Sequence, residues 1–239
     1  MNKKLLLRKS HRYIGLLVSL QLLAWTLGGI WFTWNDIDNI HGDHLRKTQT
    51  ENHYEQILLS PQIAIDAIYD FSYLRSINVI TILDKPVFEI NYTSKSHTKK
   101  TELIDAIDGS IIPDITEKQA IKIAQLNASF NAKITTVELI TETNLHHEYR
   151  EKPMPAWAIT FDYPSTPTFY ISQKSGSLTS IRHNSWRIFD FLWMLHTMDY
   201  KGRDNFGNWL IKIFSIIALI TAISGIALFI ISRRKSIKI

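Results

Sequence analysis

The chain contains no cysteine in 239 residues. This excludes disulfide staples, thiol redox chemistry and cysteine-held iron–sulfur clusters. Several catalytic signatures are missing as well. There is no nucleotide-binding glycine loop, no G-x-S-x-G elbow, no H-E-x-x-H helix and no carboxylate pair at a defined spacing, so no hydrolase is expected. His146-His147-Glu148 lies in the polar stretch Thr141–Met154 and reads as a solvated loop rather than a zinc site. Acidic residues are absent from both ends: residues 1–12 carry Lys3, Lys4, Arg8, Lys9 and Arg12, and residues 232–239 carry Arg233, Arg234, Lys235 and Lys238.

What is present is unevenly distributed. Ile14–Trp34 and Ile213–Ile231 are uncharged runs of 21 and 19 residues. At 1.5 Å per residue each is long enough to cross about 30 Å of hydrocarbon. The nine tail cations outweigh the net charge of +5, and the remaining residues, 18 basic against 22 acidic, carry −4. The basic excess therefore does not point to nucleic acid. It flanks two apolar spans, which places both termini in the cytoplasm and residues 35–208 outside. A cleaved signal peptide is not expected, because the first run is too long and no small-x-small site follows it. Trp31 and Trp34 sit where an interfacial aromatic belt belongs, and Tyr13 marks the other interface.

Between the spans the pattern repeats. Ser60-Pro61 and Thr116 each start a helix, the first with Ile63, Ala64, Ala67, Ile68 and Phe71 as its apolar face. The segments Ser60-Pro61-Gln62-Ile63-Ala64-Ile65 and Thr116-Glu117-Lys118-Gln119-Ala120-Ile121 align. Strand-like runs follow each helix: Ile77–Leu83, Val87–Tyr92 and Glu102–Ala106 after the first, and Ile134–Ile140, Ala156–Phe161 and Thr168–Ile171 after the second. Turns follow at Asp108-Gly109, before Ile111-Ile112, and at Ser175-Gly176, before Leu178. The spacing predicts helix–strand–strand–strand twice. Trp186–Tyr200 is apolar but too short to span, so it is expected to lie as an interfacial helix, with Asp190 in water and Asp199 paired to Arg203.

These units resemble PepSY domains, on Ala64-Ile65, the strand-turn Ile104–Ile111, Pro155-Ala156-Trp157 and Thr168–Gly176. The flanks Ser10-His11-Arg12-Tyr13-Ile14-Gly15, Trp186–Tyr200 and Ser224-Gly225 resemble PepSY-associated membrane proteins. The resemblance implies a membrane protein of two transmembrane α-helices plus an interfacial helix, carrying an exported α+β domain of two PepSY-like repeats, each a helix packed on an antiparallel sheet. Its expected divisions are a basic tail (1–12), a first span (13–34), a linker (35–59), repeats over 60–113 and 114–184, an interfacial helix and loop (185–208), a second span (209–232) and a basic tail (233–239). A bacterial inner membrane, with the central domain periplasmic, is implied. So is a link to iron uptake, because larger four-helix relatives include haem-containing ferric-siderophore reductases.

A stripe of small and polar residues along the first span suggests helix packing at Gly15, Gly28 and Gly29, answered by Ser224 and Gly225 in the second. An alternative is that Gly15 and Gly29 leave room for a flat cofactor. The candidate haem b ligands are His196, His41, His44 and His11. His11 belongs to the cytoplasmic leaflet and the other three to the outer boundary, so one haem cannot take both His11 and His196 of one chain. An inner haem would need a homodimer. Interfacial histidines also bond headgroups and loop carbonyls, and both readings stand. Two functions follow: an accessory in transmembrane electron transfer or iron acquisition, or a non-catalytic anchored module that binds another envelope protein. In both, the lipid bilayer is a partner.

Overall fold

The computed structural model describes residues 3–48 and 57–236. Residues 49–56 of the expected linker and 237–239 of the second basic tail lie outside them. The chain divides into a helical unit, residues 1–37 and 187–239, and a sheet unit, Asp38–Trp186.

In the helical unit, α1 (Lys3–Trp34) and α6 (Trp209–Ser236) pack on each other. Leu5–Trp34 and Trp209–Ser232 are apolar and long enough to cross a membrane, and few of their residues are fully buried inside the chain. Leu16, Leu20, Leu23, Ile216, Leu219 and Ile226 are all more than half exposed. A helix that shows water this much aliphatic surface would be insoluble; in hydrocarbon the same surface is at home. A further helix, α5, covers Asn184–Thr197, and its residues from Arg187 onward belong to this unit.

The sheet unit begins at Asp38, within the short helix α2 (Ile37–His41), and continues into a 3-10 turn at Asp43–Leu45. Helix α3 (Pro61–Asp66) then precedes the antiparallel sheet β1 (Phe71–Ile82), β2 (Lys85–Ser94), β3 (Lys99–Asp105) and β4 (Ile111–Ile112), in that order. Helix α4 (Glu117–Asn127) precedes a second one, β5 (Ile134–Ile140), β6 (Ala156–Phe161), β7 (Thr168–Ser172) and β8 (Leu178–Arg182). Each helix thus leads into four strands rather than three. The fourth strand has only two residues in the first sheet, and in the second, Leu178–Arg182 carries just two apolar residues, Leu178 and Ile181, so apolar spacing alone understated both. The Ser60 hydroxyl caps α3. Thr116 and Gln119 form a complete capping box on α4, satisfying two otherwise orphaned N–H groups.

One boundary differs from expectation. Phe71 is not on the helix. α3 stops at Asp66, and Phe71 opens β1, stacking on Tyr92 at 5.9 Å. The run Phe71–Ile82 is rich in aromatic and β-branched residues, which fit a pleated surface better than a helix.

Strand alternation sends side chains into two cores. From β2 and β3, Phe88, Ile90, Tyr92 and Ile104 pack under Ala64 and Ile68 beside α3. Val87 and Leu103, of opposite parity, join Ala120, Ile123 and Ala124 of α4 and Ile159, Phe161, Phe169 and Ile171 of the second sheet. Burying each large side chain contributes roughly 1.5–3 kcal/mol. A third cluster, Ile140, Tyr149, Ala156, Ala158 and Tyr170, covers the other face of the second sheet. Thr141–Met154 is therefore not simply a solvated loop. Tyr149 is fully buried, stacks on Tyr170 at 4.4 Å, donates its hydroxyl to the Pro153 carbonyl and bonds Thr179.

Candidate functional site

Two regions hold the candidate residues. The first is the interior of the helical unit. His11 Nδ1 meets Ser224 Oγ at 2.7 Å, 213 residues apart in sequence. The imidazole lies over Gly225, where an added Cβ would stand 3.2 Å from His11 Cε1. A Cβ at Gly15 would meet Thr221 at 3.8 Å, and one at Gly28 would meet Phe32 and Leu192 at 3.8 and 3.9 Å. One at Gly29 would find nothing within 4 Å. Gly225 thus admits the histidine ring, and Gly15 faces the other span.

Further along α1, the Gln21 amide donates to the Leu195 carbonyl at 2.8 Å, and the Trp25 indole donates to the His196 carbonyl at 3.1 Å. The His196 ring is surrounded by Trp25, Phe32 and Trp193, with centroids 5.8, 6.4 and 6.1 Å away. Its Nδ1 is enclosed and has no hydrogen-bond partner among the described residues. Asp190, expected in water, is instead 3% exposed and ion-paired with Arg203. Asp199 does not pair with Arg203. Burial pushes its carboxyl up, but backbone N–H groups of Asn205, Gly202 and Lys201 donate to it and together hold it below the usual carboxylate range. Arg203 prefers the buried partner because an unpaired carboxylate there would be costly, whereas Asp199 is served by its own turn.

The second region lies in the sheet unit. His41 ends α2, and His44 lies in the 3-10 turn; both are exposed. The His44 ring meets His183 at 5.5 Å. His183, not singled out by the sequence, is 2% exposed, and its Nε2 lies 3.0 and 3.1 Å from the carbonyls of Asn39 and Ile40. Carbonyls only accept, so this nitrogen donates. Gly42 is at φ +88°, and a Cβ there would press on Ile181 at 2.9 Å, so only glycine fits. Beside this corner is a cavity of about 310 Å³ whose lining includes His41, Asp43, Arg46, Lys152, Arg182 and Trp186. No cluster of three metal-ligating side chains occurs among the described residues, at His146-His147-Glu148 or elsewhere.

Two apolar helices long enough to span a bilayer, joined to an antiparallel sheet unit, are the make-up of a membrane protein. The family match agrees: the model of the PepSY-associated TM region matches residues 8–238, and the chain belongs to that family. Among solved structures, the YpmB protein from Bacillus subtilis is similar at 16% identity, covering 52% of this chain and 96% of its own, with a TM-score of 0.24. At that score the likeness carries no argument. No curated protein matches.

Proposed function

We propose that this is a membrane-anchored PepSY module that works by binding or restraining another envelope protein rather than by catalysis. It sits in the bacterial inner membrane with both termini cytoplasmic and its sheet unit, read as two PepSY-like repeats, in the periplasm. Helix α5 lies along the interface. The observation that carries this reading is that the helical unit closes on its own polar groups. His11 is engaged by Ser224, Gln21 by a carbonyl of α5, and Asp190 by Arg203. Groups satisfied in this way hold helices together.

A second reading is favoured by one feature, the enclosed and unpartnered Nδ1 of His196 among three aromatic rings. That environment suits a haem b ligand, and His11, with Nδ1 on Ser224, keeps Nε2 for iron. His11 and Trp25, which touches His196, are 14 residues apart on α1, roughly 21 Å. One haem cannot span that distance. His196 would need a second axial ligand of its own, and His11 would pair with the same residue of a second copy. Bound haem would supply one-electron chemistry for iron acquisition.

The test is the reduced-minus-oxidised spectrum of the protein purified from membranes of a haem-sufficient host. The binding reading expects a folded protein without Soret or α bands. Bands that vanish in His196→Ala would overturn it in favour of the second reading.

A further inference from the structure

The sheet-unit cavity beside α2 is lined by three permanent cations, Arg46, Lys152 and Arg182, and by one carboxylate, Asp43. None of the three forms an ion pair among the described residues, although the Glu148 charge lies near Arg182. Arg182 is also held in place. Its Nε donates to the Glu148 carbonyl at 2.9 Å and Nη1 to the Ile181 carbonyl at 3.2 Å, while its guanidinium lies 3.9 Å over the buried Trp186 ring. These contacts fix the fork without neutralising it, since carbonyls and a ring face carry no net charge. The Ser180 hydroxyl in the same wall has no partner among the described residues.

We infer that this cavity is an anion-binding site for a phosphate-bearing group, held by Arg182 and Ser180 in the wall and by Arg46 and Lys152 at the mouth. A phosphate fits the chemistry best. It offers tetrahedral oxygens to donors converging from several directions, and its charge matches an excess of two cations. The volume of about 310 Å³ exceeds a lone phosphate and leaves room for whatever the phosphate is esterified to. Burial pushes Arg182 down to about 10, opposed mainly by the nearby Glu148 charge, so a second anion beside it would be welcome. Because Arg182 is already ordered, little conformational freedom is lost when an anion arrives. None of Arg46, Lys152, Arg182 and Ser180 is a candidate haem ligand, so the inference does not rest on the haem reading, although His41 shares the cavity's lining.

The experiment uses the full chain in uncharged detergent micelles, titrated calorimetrically at constant ionic strength. One arm adds inorganic phosphate, another short-chain phosphatidylglycerol, and a third the zwitterionic short-chain phosphatidylcholine as reference. Wild type is expected to bind phosphate, phosphatidylglycerol or both, more tightly than phosphatidylcholine. Phosphate alone would assign a free anion, and phosphatidylglycerol alone a lipid headgroup. Arg182→Met should weaken binding about tenfold or more. Because Arg182 also braces Trp186, the exposed-side variant Arg46→Gln/Lys152→Gln provides a second reading, with a similar loss and unchanged thermal unfolding. Failure of wild type to bind either anionic probe, or equal binding by a folded Arg46→Gln/Lys152→Gln variant, would overturn the inference.

Discussion

At the level of single residues, close fit decides what each group does. Gly225 is needed because His11 occupies the space over it. Gly225→Leu should lower stability in micelles by about 1–3 kcal/mol, as overpacking does. Adding His11→Ala should recover part of that loss, and thermal unfolding of the two variants checks both statements. Tyr149→Phe removes a hydroxyl shared by the Pro153 carbonyl and Thr179, and should cost about 1–3 kcal/mol. Burial raises the Tyr149 phenol above its ordinary 10, opposed by the Thr179 hydrogen bond and the Arg182 charge. A raised folded-state value means that this stabilisation is complete below pH 10 and is lost as pH rises through the folded value. Stability against unfolding, followed from pH 8 to 11, should therefore fall more steeply for wild type than for Tyr149→Phe. Much of this scale was hidden in the sequence. His11, Ser224 and Gly225 stand out separately, but nothing in the spacing says that they meet. Asp190 and Arg203 are 13 apart, outside the i+4 rule that favours Asp199. Tyr149 is surrounded by polar letters that conceal a buried ring.

At the level of elements, local rules read well. Thr116 and Gln119 announce the capping box, and Ser60-Pro61 announces α3, because caps are settled by neighbours in sequence. Thr116→Ala should lower stability by about 1 kcal/mol in chemical denaturation, with little change in binding. The strands of the second sheet were legible for the same reason: alternation and turn residues are local signals. Phe71 was misplaced because a phenylalanine one turn beyond Ile68 suits either period. The charge excess of the cavity was not legible at all. Arg46, Lys152 and Arg182 come from three distant segments, and only the packing of β8 gathers them.

At the level of the whole molecule, the distribution of charge and apolar residues carries the account. Two spans, two basic ends and an acidic middle are statements about a membrane, and they were readable before any fold was known. Membership of the PepSY-associated TM family covers nearly the entire chain and agrees with them. The orientation is the central claim, because it sets which compartment the sheet unit and its cavity face. The cysteine-free sequence makes it directly measurable. Single variants Lys118→Cys, exposed on α4, and Ser10→Cys, exposed near the start of α1, would be treated in spheroplasts with a membrane-impermeant maleimide. The account predicts labelling of Lys118→Cys in intact spheroplasts and of Ser10→Cys only after permeabilisation. Labelling of Ser10→Cys in intact spheroplasts, with Lys118→Cys protected, would contradict it.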